Sequence, residues 1–267
     1  MQFKALKASL FTGLLAASTT AQATIVKFET SLGDIEVNLF DEYTPETVEN
    51  FLAYVESGAY DDTFIHRSAA GFVVQGGGFA YDSSYTALNK VAYTPHIEQL
   101  PAVVNEPLLS NQRGTIAMAK RGGDPNSATS EWFFNVRDNS ANLDNQNGGF
   151  TAFGQVTEEG MAVVDEINKL RVINLNVDRI TAFGSVPLRN YTDLDYIARE
   201  PITDAHRVMI HRVTVIDPAP DTAADLEPVL AIKQDPPPAK KKKSGAPGSD
   251  YLLLLGAVAL LRRKYKR

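Results

Sequence analysis

The 267-residue chain contains no cysteine. That absence excludes a disulfide framework, a thiolate metal site and a cysteine nucleophile. It also leaves nothing to misoxidise in an oxidising compartment. Histidine is scarce, with only His66, His96, His206 and His211. None stands at HExxH or another short ligand spacing, so a histidine metal site is not expected. No Gly-Lys-Ser/Thr follows the run Gly76-Gly77-Gly78 and no helix opens after it, so the run is not a phosphate loop. Its glycines suit a tight turn or a close backbone approach. His66 and Ser68 share one strand face, but no nucleophile elbow surrounds Ser68, which argues against a hydrolase triad.

Positive charge is also thin where it would matter for nucleic acid. The formal net charge is −6, but it is unevenly spread. Two of the 26 basic residues precede Thr24 and nine follow Ala239, leaving 15 against 31 acids in between, a body charge of −16. Such a body repels phosphates, so nucleic acid is not expected as a partner.

The ends differ from the body. Residues 1–23 read as a secretory signal peptide, with Lys4 and Lys7, an apolar stretch over 8–17, and Ala21-Gln22-Ala23 as an A-x-A cleavage site. Residues 218–243 are rich in Pro and Ala, end in Lys240 to Lys243, and read as a disordered linker. Residues 244–267 hold a Ser-Gly-rich stretch, an apolar run over 251–261 and a basic end. The run is 11 residues long, and a membrane span needs about 20. This tail resembles the tripartite C-terminal sorting signals of Gram-negative bacteria; the alternative is a plain amphiphilic surface tail. The chain is thus expected to be exported to a Gram-negative periplasm or cell envelope, membrane-tethered or surface-sorted, with transient membrane association through the tail. A monomer is expected.

The body, residues 24–217, reads as one domain. Strands are expected over 24–28 and 34–40 with a turn at Ser31-Leu32-Gly33-Asp34, then over 114–119, 130–136, 151–156 and 208–216. Thr44-Pro45-Glu46 is a helix start with a capping hydroxyl, proline at the first position and an early acid. Val48, Phe51, Leu52 and Val55 continue it at helical spacing, and Met161, Val164 and Ile167 mark a second helix over 158–170. Residues 80–107 and 171–207 read as loops. Many strands and two helices imply a mainly β, closed antiparallel barrel with capped ends. Within residues 63–79, strand alternation places Val73 and Gln75 on one face, with Phe72 and Val74 on the other, and sets His66 opposite Arg67. Arg is almost never buried without a partner. Either Arg67 and Gln75 open onto an apolar groove, or this is an edge hairpin with a solvated Arg.

Five segments carry a resemblance. They are Phe64-Ile65-His66-Arg67 with Gly71-Phe72-Val73-Val74-Gln75-Gly76-Gly77, Thr44-Pro45-Glu46-Thr47-Val48-Glu49-Asn50-Phe51, Arg113-Gly114-Thr115-Ile116-Ala117-Met118-Ala119, Ser130-Glu131-Trp132-Phe133-Phe134, and Phe153-Gly154-Gln155-Val156. In this order they resemble the cyclophilin-type peptidyl-prolyl cis-trans isomerases. The resemblance implies an eight-stranded antiparallel barrel with two capping α-helices, proline-containing polypeptides as clients and no cofactor. It implies Arg67 as the catalytic residue, and Phe72, Val73, Phe133 and Leu143 as the proline pocket. Gln75 and the main chain near Ala119 and Lys120 would bond the substrate backbone. Glu131 and Phe150 stand at substrate-binding positions where Gln and His are common, and Glu131 would hold the Arg67 guanidinium. Asn142 replaces an aromatic associated with cyclosporin contact. The rival reading is a non-catalytic proline-peptide-binding chaperone or scaffold.

Overall fold

The computed structural model describes residues 24–177, 181–218, 226 and 228–232. The expected signal peptide and the sorting tail lie outside them. The chain opens with the hairpin β1 (Ile25–Thr30) and β2 (Gly33–Leu39). Val26, Phe28, Ile35, Val37 and Leu39 point inward, as period-two alternation requires. Helix α1 (Pro45–Glu56) follows. Then come β3 (Thr63–Phe64), β4 (Arg67–Ala69), β5 (Val73–Gly76), β6 (Thr115–Met118) and β7 (Trp132–Asn135). A one-turn helix α2 (Ser140–Leu143) leads to β8 (Ala152–Val156) and α3 (Glu158–Lys169). The chain continues through β9 (Arg171–Ile173), β10 (Val186–Leu188), α4 (Asp193–Ala198) and β11 (Met209–Asp217).

The main sheet is antiparallel with the order β3-β11-β1-β2-β8-β6-β7-β5-β4. The architecture is mainly β, as expected, but the sheet has nine strands where eight were expected. The stretch 63–69 breaks at Ile65-His66, and its two halves are the two edges of the sheet. Ile65 N–H donates to the Val208 carbonyl (2.9 Å) and His66 N–H to the Gln75 carbonyl (3.2 Å). One bent segment thus hands its pairing from β11 to β5, and the sheet curls until its edges adjoin in sequence. The inward faces enclose an aromatic-rich core including Phe28, Phe51, Tyr60, Trp132, Phe134 and Phe153.

The helices sit where expected, with one difference in capping. Thr44 occupies the α1 cap position, but its hydroxyl donates to the Phe40 carbonyl (3.3 Å) and not to the helix. Glu106 does the capping from the far loop: its carboxylate accepts from Glu46 N–H (3.4 Å) and Thr47 N–H (2.8 Å). A carboxylate satisfies open amides there and also complements the helix dipole. In α3 the cap is local, with the Thr157 hydroxyl accepting from Gly160 N–H (3.1 Å).

One expected loop and the expected linker behave otherwise. Residues 171–207 form the β9–β10 pair, the capped helix α4 and a second apolar core with Phe64, Phe79, Ile173, Phe183, Val186 and Leu188. Strands of three residues are too short to show alternation, and Pro187 inside β10 reads as a strand breaker. Arg207 is buried in this core, stacked 4.3 Å over the Phe64 ring, and burial pushes its guanidinium down to about 10. The expected free linker also has a docked part. Ser110 N–H donates to the Val229 carbonyl (2.7 Å) and Ala231 N–H to the Leu108 carbonyl (2.9 Å), pairing residues 229–231 with 108–110.

Candidate active site

Register builds the site. Pairing aligns Arg67 with Gln75, Gln75 with Phe133, and Phe133 with Ala117, one row across β4, β5, β7 and β6. The neighbouring row, Ser68, Val74, Phe134 and Ile116, carries the core residues Val74, Phe134 and Ile116. A strand alternates faces residue by residue, so the first row must lie on the outer face. Phe72 does not follow the alternation that would pair it with Val74. It sits in the turn before β5, where Gly71 has φ +60° and Phe72 N–H donates to the Ala69 carbonyl (3.0 Å). The turn frees its ring to join the outer face.

A recess of about 310 Å³, open to solvent, is lined by Arg67, Phe72, Val73, Gln75, Ala119, Lys120, Phe133, Leu143 and Phe150. Every pocket residue expected from the sequence lines it except Glu131. A wider groove of about 1480 Å³ between Phe40, Arg113, Gln155, Met161 and the segment at Leu226 and Pro228 contains none of these residues. The recess is therefore the better candidate despite its smaller size. Its walls are fixed by packing: Phe150 meets Phe133 edge-on at 5.9 Å, and Leu143 is buried from α2. The Lys120 ammonium lies 4.9 Å over the Phe150 ring and donates to the carbonyls of Asn147 (3.0 Å) and Gly149, closing the loop that carries Phe150. Asn142 is exposed beyond this wall.

Polar groups converge at one end. Arg67 Nη1 donates to Gln75 Oε1 (3.1 Å), and Gln75 Nε2 donates to Glu131 Oε2 (2.7 Å). Glu131, expected to hold the Arg67 guanidinium, does not touch it: among the described residues Arg67 forms no ion pair within 4.0 Å, and Gln75 lies between the two. Burial lowers the Arg67 pKa, and the Glu131 charge works against that shift. Burial alone would raise the Glu131 carboxyl. Hydrogen bonding and charge from His66, the bond from Gln75 and the charge of His96 outweigh it, and the net shift is downward. His66 Nε2 stands 3.4 Å from Glu131 Oε2.

The glycine run proves to be clearance. At Gly77, with φ +78°, an added Cβ would come within 2.6 Å of the Ser130 carbonyl oxygen. At Gly76 it would meet the Trp132 ring at 2.8 Å.

Sequence reasoning missed the polar chain behind the recess. Asp144 accepts from Ser110 Oγ (2.6 Å), Asn111 N–H (2.8 Å) and Asn111 Nδ2 (3.0 Å). Asn111 also donates to the Phe150 carbonyl (3.0 Å) and accepts from Asn135 Nδ2 (3.2 Å). Asn139 Nδ2 then bonds Asn135 Oδ1 (2.7 Å) and the Phe72 carbonyl (3.0 Å). The chain ties the Phe150 wall to the Phe72 wall. Its members stand in unrelated polar stretches, and no spacing rule links them.

Fold and site together present a candidate binding recess: apolar walls with one guanidinium and one amide at the edge. Residues 25–184 match the family of cyclophilin type peptidyl-prolyl cis-trans isomerases. Peptidyl-prolyl cis-trans isomerase A of Dickeya dadantii is 41% identical over 174 residues, which is 64% of this chain and 83% of that one. Peptidyl-prolyl cis-trans isomerase B of Escherichia coli is 40% identical over 147 residues, 54% of this chain and 83% of the relative. A solved Cryptosporidium parvum cyclophilin superposes with a TM-score of 0.47 at 20% identity, covering 73% of this chain and 98% of its own. The chain belongs to the cyclophilin-type peptidyl-prolyl cis-trans isomerases, and its activity is isomerisation of prolyl peptide bonds.

Proposed function

We propose that this isomerase turns X–Pro bonds without a covalent step, with Arg67 stabilising the twisted amide, during the folding of exported proteins. The observation that carries the mechanism is the row Arg67, Gln75, Phe133 along an apolar recess. An X–Pro bond resists rotation by about 20 kcal/mol because its nitrogen is conjugated. Twisting it localises a lone pair on that nitrogen. A guanidinium beside it gains a hydrogen bond only then, so the interaction favours the transition state over the ground state. Phe72, Val73, Phe133 and Leu143 hold the ring and exclude water. Gln75 and the main chain at Ala119 and Lys120 fix one side of the peptide while the other turns. The Ala119 N–H already donates to the Glu131 carbonyl (2.8 Å), so the Ala119 carbonyl is the group offered to substrate.

The test is NMR exchange on a proline peptide. Arg67→Ala should fold and lose about 100-fold or more in kcat/KM, the scale of a removed transition-state donor. Arg67→Lys should also be poor, because a point charge does not reproduce the planar fork. Wild-type activity in Arg67→Ala would remove Arg67 from the mechanism. Peptide binding with no acceleration in the wild type would favour the scaffold reading.

Export rests on the sequence of residues 1–23 and of the tail. One contact supports cleavage after Ala23: Thr24 N donates to Asp41 Oδ2 and Thr24 Oγ1 to Asp41 Oδ1, both at 2.9 Å. A new ammonium at Thr24 would find a carboxylate already in place.

A further inference from the structure

Glu131 makes no direct contact with Arg67, yet the chemistry of the three side chains, with Gln75 in the middle, admits only one arrangement. A guanidinium can only donate and an ionised carboxylate can only accept. Gln75 stands between them at 3.1 Å and 2.7 Å, so its amide must turn oxygen to Arg67 and nitrogen to Glu131. If residue 131 could donate as well as accept, its end of the relay would no longer select the Gln75 orientation, and Arg67 alone would hold the amide. The surroundings hold the carboxylate in this role. Gly78 leaves room for it, since an added Cβ there would lie 3.0 Å from Glu131 Cδ, Cγ and Oε1. His66, 1% exposed and packed edge-on against Phe79 at 5.0 Å, places Nε2 3.4 Å from the same Oε2 that Gln75 uses. Gln75 itself is 8% exposed, so water competes little for its amide.

We infer that Glu131 is a positioning residue: through its carboxylate it fixes the Gln75 amide, and through Gln75 it holds the Arg67 guanidinium at the edge of the proline recess. The inference rests on the proposed Arg67 mechanism and adds the reason that this chain carries an acid at the position. It places Glu131 beyond Gln75 in the relay, so that the hold on Arg67 runs through the Gln75 amide and Glu131 is not a substrate contact.

The experiment compares wild type, Glu131→Ala and Glu131→Gln on one proline peptide, separating kcat from KM by NMR exchange, and follows the Arg67 guanidinium and Gln75 side-chain amide signals in each free protein. In Glu131→Ala, kcat should fall about tenfold with KM changed less than twofold. The Arg67 signals should broaden as the guanidinium begins to rotate. Glu131→Gln, which can still accept from Gln75 in one of its orientations, should recover most of kcat with intermediate Arg67 signals. Thermal melts confirm that each variant folds. Unchanged kcat and sharp Arg67 signals in Glu131→Ala would overturn the inference. A loss confined to KM would also overturn it, by making Glu131 a substrate contact. If the wild type itself does not accelerate exchange, the mechanism fails, while the free-protein signals still report whether Glu131 holds the relay.

Discussion

At the scale of single residues, the site divides into groups that line the recess and groups that only hold those in place. Arg67, Gln75 and Phe133 share the outward row, whereas Asn111, Asn135, Asn139 and Asp144 are buried behind it. Asn111 has the most to lose. It supplies two bonds to the Asp144 carboxylate and supports the Phe150 carbonyl. Asn111→Ala keeps the main-chain donor but removes the side-chain bonds to Asp144, Phe150 and Asn135. Unpaired buried polar groups cost about 1–3 kcal/mol each. The variant should lose about 2–4 kcal/mol in urea unfolding, and KM for a proline peptide should rise because the Phe150 wall loosens. Full stability with unchanged KM would show that the polar chain does not support the pocket. The first group was legible in the sequence through its neighbours Phe64 to Gly77. The second was not, because a hydrogen-bonded network has no fixed spacing along a chain.

At the scale of elements, periodicity located the longer strands and both long helices but not β9 and β10, and it could not say how each element is completed. Thr44-Pro45-Glu46 marks the start of α1 correctly, yet the acid that caps it is 59 residues beyond Thr47. Glu106→Ala should cost about 1 kcal/mol, the usual worth of a helix cap together with its charge. Thr44→Ala should leave the cap intact and cost less. Thermal melts of the two variants test this, and the reverse order would return the cap to Thr44. The same limit explains residues 171–207. The β9–β10 pair gains its stability from Phe64, Phe79 and Phe183 across the fold, and a three-residue strand carries no internal sign of that.

At the scale of the whole molecule, an acidic body sits between two segments of opposite character. The body charge of −16 contrasts with basic residues near both ends of the chain. Between them, the hydrogen bonds of residues 229–231 to 108–110 hold that short segment on the sheet, beside the groove that Leu226 and Pro228 line together with Phe40 and Met161. Intact mass spectrometry of the protein from a Gram-negative host should find a mature chain beginning at Thr24 and ending short of Arg267. A retained Met1 would refute export through the signal peptide. An intact Arg267 would refute processing of the tail.

The sequence by itself determined most of the strand pattern and both long helices, and through its resemblance the family and the residues that line the recess, because those are written in alternation and in motifs of nearby residues. The tertiary structure decided what depends on register and distance. It broke the strand at Ile65-His66 to join the two sheet edges, lifted Phe72 out of its strand face, and folded residues 171–207 around a second core. It also placed Gln75 between Arg67 and Glu131. A charge 64 residues from Arg67 in sequence can act on it only when cross-strand pairing brings β4, β5 and the start of β7 side by side.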